Sequence, residues 1–152
     1  MSYEFETISV EIDRGVLFAT LSNPPINVMT PPLYNDLVGF TAEVEVDTEV
    51  RVVVMQSADP DFFIAHFDAE ILLAMPIDEP AQREPEVNDF HKMCEPMRTM
   101  PKATIAKIAG RVGGGGSEFA ASCDMRFGVL EKTRINQMKV ALGILPGGTD
   151  TQ

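Results

Sequence analysis

Glu118 stands two residues beyond a run of four glycines, Gly113 to Gly116, with Ser117 between, and it is followed by the apolar, helix-forming Phe119-Ala120-Ala121. Glycine is used where the backbone adopts conformations closed to other residues, or where something must approach it closely. A helix opening just after such a loop presents unpaired N–H groups and the positive end of its dipole to whatever lies in front of it. A carboxylate in the first turn of that helix is suited to moving a proton on a ligand held there. Three familiar glycine motifs do not fit. G-x-G-x-x-G started at Gly113 needs a glycine where Glu118 stands, no glycine precedes Lys-Ser or Lys-Thr, and Ser117 lacks the second glycine of a G-x-S-x-G elbow. Two readings of the loop stay open on shape alone: a tight crossover whose glycines only allow close packing, or a cradle for an electron-rich ligand.

The elements around this loop alternate. Residues 7–12 and 16–22 alternate apolar and polar positions around Asp13-Arg14-Gly15 and read as a β-hairpin. Thr30-Pro31-Pro32 opens a helix over 31–46, with Leu33, Leu37, Phe40 and Val44 on one face. A valine-rich strand follows over 50–57, then extended Phe62 to Phe67 and a short helix capped by Asp68. Residues 76–86 hold three prolines and four acids and read as a mobile surface loop. A helix over 87–99 carries Val87, Phe90, Met93 and Met97, with Pro96 expected to kink it. Strand, glycine loop, buried helix and strand complete the order. The class is α/β with part of the sheet parallel, in a single domain spanning residues 1–152.

Composition limits the function. A 45% hydrophobic content supports a packed core. The acidic, alternating N-terminus is no signal peptide, and no apolar run approaches the ~18 residues of a membrane span, so a soluble, cytoplasmic protein is expected. Cys94 and Cys123 fit no metal spacing and read as buried thiols; no metal site is expected. The net charge of −11 speaks against nucleic acid. It is unevenly spread: residues 1–89 carry 3 Lys and Arg against 18 Asp and Glu, residues 90–152 carry 9 against 5. The basic half holds the glycine loop, which leaves room for an anionic small molecule.

Asn23-Pro24-Pro25-Ile26-Asn27, the stretch from Phe62 to Leu72, the segment 105–127 and Ala141-Leu142-Gly143-Ile144-Leu145-Pro146-Gly147-Gly148 resemble, in order and spacing, the enoyl-CoA hydratase/isomerase (crotonase) superfamily. The resemblance implies a spiral of ββα turns with two sheets, assembled as trimers or hexamers. It implies an acyl-CoA thioester as substrate and no separate cofactor. It places two oxyanion-binding N–H groups at Phe67 and Gly115, and makes Glu118 the acid/base. Val28, Ala65, His66, Asp68, Ile71, Gly114, Met138 and Leu142 fall at the positions expected to line the substrate. His66 reads either as a packed loop histidine or as a polar group over the substrate. Lys92, Lys102, Lys107 and Arg111 are candidates for the CoA phosphates.

The chain departs from the family at one decisive position. Hydratases of this type use a second glutamate where this chain has Lys139. A lysine amine takes up a proton only when deprotonated, and a neighbouring carboxylate favours its charged form. Two functions follow: oxyanion-stabilised enolate chemistry through Glu118, such as double-bond isomerisation or decarboxylation, or a non-catalytic acyl-CoA-binding module. The chain also ends before the helices that close the family's acyl pocket, so apolar surface is expected to remain uncovered on helix 116–122 and tail 140–146, favouring association.

Overall fold

The computed structural model describes residues 2–74 and 86–148. The expected acidic loop at 76–86 therefore lies, but for Glu86, outside the described residues. The main sheet has five strands: β1 (Ile8–Asp13), β2 (Val16–Leu21), β3 (Val52–Ser57), β4 (Ala103–Ile108) and β6 (Met125–Gly128), in the order β1-β2-β3-β4-β6. Only the β1–β2 hairpin is antiparallel; the other three pairs are parallel. Parallel strands need crossovers, and the helices supply them: α1 (Pro31–Val46) links β2 to β3, while α2 (Ala69–Leu73) and α3 (Asp89–Thr99) precede β4.

Helix α1 forms where the period predicts. Pro31 and Pro32 occupy its first turn, where missing N–H groups cost nothing, and Leu33, Leu37, Phe40 and Val44 are fully buried against the sheet. Thr30 holds the N-cap position, yet its hydroxyl makes no capping bond and instead accepts from Asn23 Nδ2 at 2.9 Å. Asp68 does cap α2, accepting from the Glu70 N–H at 2.9 Å. Helix α3 begins two residues later than the sequence suggests, because Asn88 caps it by accepting from His91 N–H. It continues through Pro96 to Thr99.

Sequence periodicity misses the second sheet. β5 (Arg111–Gly113) pairs in parallel with β7 (Arg134–Asn136), and on its other side the extended segment at Phe62–Ile64 runs alongside, with Phe63 N–H donating to Arg111 O and Gly113 N–H to Ile64 O. This approach explains two of the glycines. A Cβ on Gly113 would lie 2.6 Å from the Ala65 carbonyl oxygen, and one on Gly116 2.6 Å from Ile64.

Helix α4 (Gly115–Ala121) is buried from Gly115 to Ala120, contrary to the expectation of an uncovered face at 116–122. The apolar surface left open lies instead on β6, β7 and the turn between them, where Phe127 is 58%, Leu130 89% and Ile135 62% exposed. The tail beyond α5 (Lys139–Leu142) adds Leu145, also exposed. Among the described residues no helix is long and apolar enough to cross a membrane, and no cluster of His, Cys, Asp and Glu is placed to hold a metal ion.

Candidate active site

Asn27 fixes the strand segment that leads to the site. Its side chain donates to Ser57 Oγ at 2.8 Å and to the Phe63 carbonyl at 3.1 Å, and its carbonyl accepts from Ala65 N–H at 3.3 Å. The segment then crosses Met29 as a parallel bridge: Met29 N–H donates to His66 O, and Asp68 N–H to Met29 O. Amides alternate in direction along an extended chain, so the Phe67 N–H points away from Met29. It meets no acceptor among the described residues.

The glycine loop brings a second amide to the same place. Gly114, at φ +50°, turns the chain from β5 into α4, its carbonyl receiving the Ser117 and Glu118 N–H groups at 3.0 and 3.2 Å. Gly115 opens the helix, and its N–H likewise has no acceptor among the described residues. A Cβ on Gly115 would stand 3.3 Å from both Phe67 Cβ and Phe90 Cζ, so the two amide-bearing residues are neighbours. The two readings of the glycine run thus divide by residue: Gly113 and Gly116 serve packing, and Gly115 opens onto space.

That space is a cavity of about 490 Å³ lined by Phe67, Gly115, Lys139, Tyr34, Leu72, Phe90 and residues of the segments 88–89 and 144–147. Three aromatic rings form one wall, with Phe67 edge-on to Phe90 at 6.0 Å and to Tyr34 at 6.3 Å, and Tyr34 stacked on Phe90 at 6.5 Å. Burial, with Asp89 and Cys94 adding, pushes the Tyr34 phenol above its ordinary pKa, so it stays neutral.

Glu118 is wholly buried, and a buried carboxylate must be paired. Its Oε1 forms an ion pair with the Lys139 ammonium, and its Oε2 accepts from the Gly148 N–H at 2.5 Å. The Lys139 side chain is 14% exposed, with its nitrogen 5.8 Å from the centre of the Phe90 ring. The ammonium thus faces both a carboxylate and an aromatic ring.

Phe67, Gly115 and Lys139 thus line one cavity, with Glu118 paired to Lys139. Val28, Ala65, His66, Asp68, Ile71, Gly114 and Met138 are not among its described lining residues. The Val28 carbonyl accepts from Asn23, the Ala65 amide serves Asn27, and Asp68 is spent on its cap. His66 Nδ1 donates to the Phe67 carbonyl at 2.8 Å. Ile71 lies half-buried in α2, Gly114 makes the turn, and Met138 is exposed. Leu142 lies in α5, with its side chain outside what is described. Tyr34, Leu72 and Phe90 carry no signal as lining residues: Phe90 reads as the inner face of a helix, and its ring fills that face while fronting the cavity. Of the four basic candidates, Lys102 donates to the Asp47 and Val50 carbonyls, Lys107 to Gln56, and Arg111 covers the Phe62 ring. Lys92 pairs at 3.3 Å with Asp89, which lines the cavity.

The family model for enoyl-CoA hydratase/isomerase matches residues 11–152. The chain belongs to this family. It is 29% identical to a probable enoyl-CoA hydratase of Bacillus subtilis, over 95% of this chain and 55% of that protein. It is 29% identical to the short-chain-enoyl-CoA hydratase of Clostridium acetobutylicum, over 98% of this chain and 56% of that one. Among solved structures, a putative enoyl-CoA hydratase from Streptomyces avermitilis superposes with a TM-score of 0.79 at 35% identity, covering 95% of this chain and 54% of the other. The fold is the crotonase fold. The chain spans about half the length of the curated relatives it matches.

Proposed function

We propose that the cavity beside Glu118 binds the acyl-thioester end of an acyl-CoA, with the thioester oxygen received by the Phe67 and Gly115 N–H groups. One observation carries this reading: Phe67 and Gly115, neighbouring residues whose amides meet no acceptor among the described residues, line a largely apolar cavity together with Lys139, the ion-pair partner of the buried Glu118. Pre-aimed donors of this kind stabilise an oxyanion by roughly 3–4 kcal/mol each, and α4 adds its dipole.

Glu118 then removes a proton from the carbon next to the thioester. The electron pair moves onto the thioester oxygen, giving an enolate held by the two amides. For a 3-enoyl thioester the enolate is conjugated, and return of the proton to the far carbon yields the 2-enoyl isomer. Each Glu118 oxygen already accepts one contact at rest, so the proton goes to a remaining lone pair or follows displacement of the ammonium or the Gly148 amide. Hydration needs a second group to accept a proton from water. Lys139 as an ammonium offers no lone pair, so isomerisation is the favoured chemistry and no separate cofactor enters it.

The Lys139–Glu118 contact also supports a second reading, a non-catalytic acyl-CoA-binding module whose carboxylate is permanently neutralised. A panel of 2-enoyl-, 3-enoyl- and saturated acyl-CoA thioesters, assayed for both binding and turnover, separates the two. Turnover supports the enzyme, binding alone supports the module, and no binding contradicts both. The exposed apolar residues of β6 and β7 further support assembly of like chains.

A further inference from the structure

Phe90 stands where the cavity gives way to the buried carboxylate. The helical period of α3 puts it on one face with Met93, Cys94 and Met97, which are sealed in the core. Phe90, at the open end of that face, is only half-buried. Asn88 fixes the turn that carries it by accepting from His91 N–H at 2.8 Å. One edge of the ring meets Gly115, where a Cβ would stand 3.3 Å from Phe90 Cζ and 3.5 Å from Cε2. The next edge meets Gly148, where a Cβ would stand 3.1 Å from Phe90 Cε1 and 2.9 Å from Glu118 Oε2. The Lys139 nitrogen lies 5.8 Å from the ring centre. The ring therefore reaches from Gly115 to the Glu118–Lys139 pair. Glu118 is wholly buried and is not among the described residues that line the cavity, whereas Phe90 is.

An acyl group received by the Phe67 and Gly115 amides has to pass along this ring to bring the carbon next to its thioester beside Glu118. The carbons after that one meet Phe90 itself. The ring is hemmed in by Phe67, edge-on at 6.0 Å, and by Tyr34 at 6.5 Å. A side chain packed on two others gives way to a methyl contact but not to the width of an alkyl chain, and a tail forced into a filled site loses affinity rather than gaining it.

We infer that Phe90 is the specificity-determining residue of this site: its ring fills the space beside Glu118 that a longer acyl tail would take, and so restricts the site to short acyl groups. The inference rests on the acyl-CoA reading of the cavity and adds to it the length of the chain. Butenoyl is the shortest acyl group that can carry the double-bond shift, and the expected limit lies at or just beyond that length.

Calorimetric titration of the whole chain with free CoA and with acetyl-, butyryl-, hexanoyl- and octanoyl-CoA tests this without any turnover. Each methylene buried against apolar side chains adds about fourfold in affinity. In the wild-type protein that gain should stop after butyryl-CoA. In Phe90→Ala it should continue, so that octanoyl-CoA binds at least ~10-fold tighter than to the wild type while free CoA binds equally. Phe90→Leu, which keeps much of the apolar volume, should give an intermediate profile, and it decides together with the wild type should Phe90→Ala not fold. Leu72→Ala enlarges the same cavity from α2 and should leave the limit in place. Affinity that climbs through octanoyl-CoA in the wild type overturns the inference, as does a limit that persists in the Phe90 variants or moves as far in Leu72→Ala. In each of those results the acyl groups still contribute to binding. Thioesters that bind no better than free CoA to any of the proteins would contradict the acyl-CoA reading itself, and the inference with it.

Discussion

The Lys139 ammonium sits on the Glu118 carboxylate, and its nitrogen lies 5.8 Å from the centre of the Phe90 ring. A carboxylate wholly buried on α4 thus finds its counter-charge on α5.

Replacing Glu118 by Gln should cut turnover by ~10²–10⁴-fold, as for loss of a general acid/base, while CoA-thioester affinity stays within a few-fold. The same change strips Lys139 of its counter-charge in a mostly buried site, so stability should fall by on the order of 3 kcal/mol. Steady-state kinetics, ligand titration and denaturant unfolding read the three quantities.

Lys139→Glu should raise hydratase turnover on a short 2-enoyl-CoA. It should also make stability depend on pH in a defined direction. Two carboxylates sharing one buried site raise the folded-state pKa of one of them. Its protonated form is then favoured by folding, so the variant is most stable in acid and loses stability as pH rises through that raised value. Melting curves between about pH 4 and 8 check this; the gap to the parent protein should widen toward the higher pH.

Adjacent glycines should behave differently. Gly116→Ala places a methyl group 2.6 Å from Ile64 main-chain and side-chain atoms and should destabilise the fold by several kcal/mol, on the order of 3. Gly115→Ala meets its neighbours at 3.3 Å, a contact that Phe90 can yield to. It should leave a folded protein with weakened thioester binding. Thermal melts and ligand titration separate the outcomes.

The exposed apolar residues Phe127, Leu130 and Ile135 should drive self-association. Light scattering over a dilution series should show trimers or larger, and Phe127→Asp with Leu130→Asp should shift the protein toward monomer. A parent protein that is monomeric at micromolar concentration would contradict this.

What the sequence discloses follows from how each residue is used. The β1–β2 hairpin and α1 are legible because a half-buried element repeats its apolar positions with a fixed period, as Leu33, Leu37, Phe40 and Val44 do. β5 and β7 are not, because three residues are too few to show a period and Arg134 to Asn136 are all exposed. Gly113 and Gly116 cannot be told from Gly115 in the sequence; only the position of the 61–65 segment shows which need the space for packing. Glu118, Phe67, Gly115 and Lys139 are legible through family spacing. Tyr34 and Phe90 are not, since an aromatic ring that fronts a cavity obeys the same helical period as one sealed in the core.

The carbonyl stretch of a bound ligand reports most directly on the grip proposed for Phe67 and Gly115 on a thioester oxygen. An enoyl-CoA labelled with ¹³C at its thioester carbonyl, bound to the protein, should show that stretch shifted to lower frequency than in water. The shift should shrink in Gly115→Ala. A bound ligand whose carbonyl absorbs at or above its frequency in water would contradict the account, because two N–H groups aimed at the oxygen polarise the bond more than solvent does.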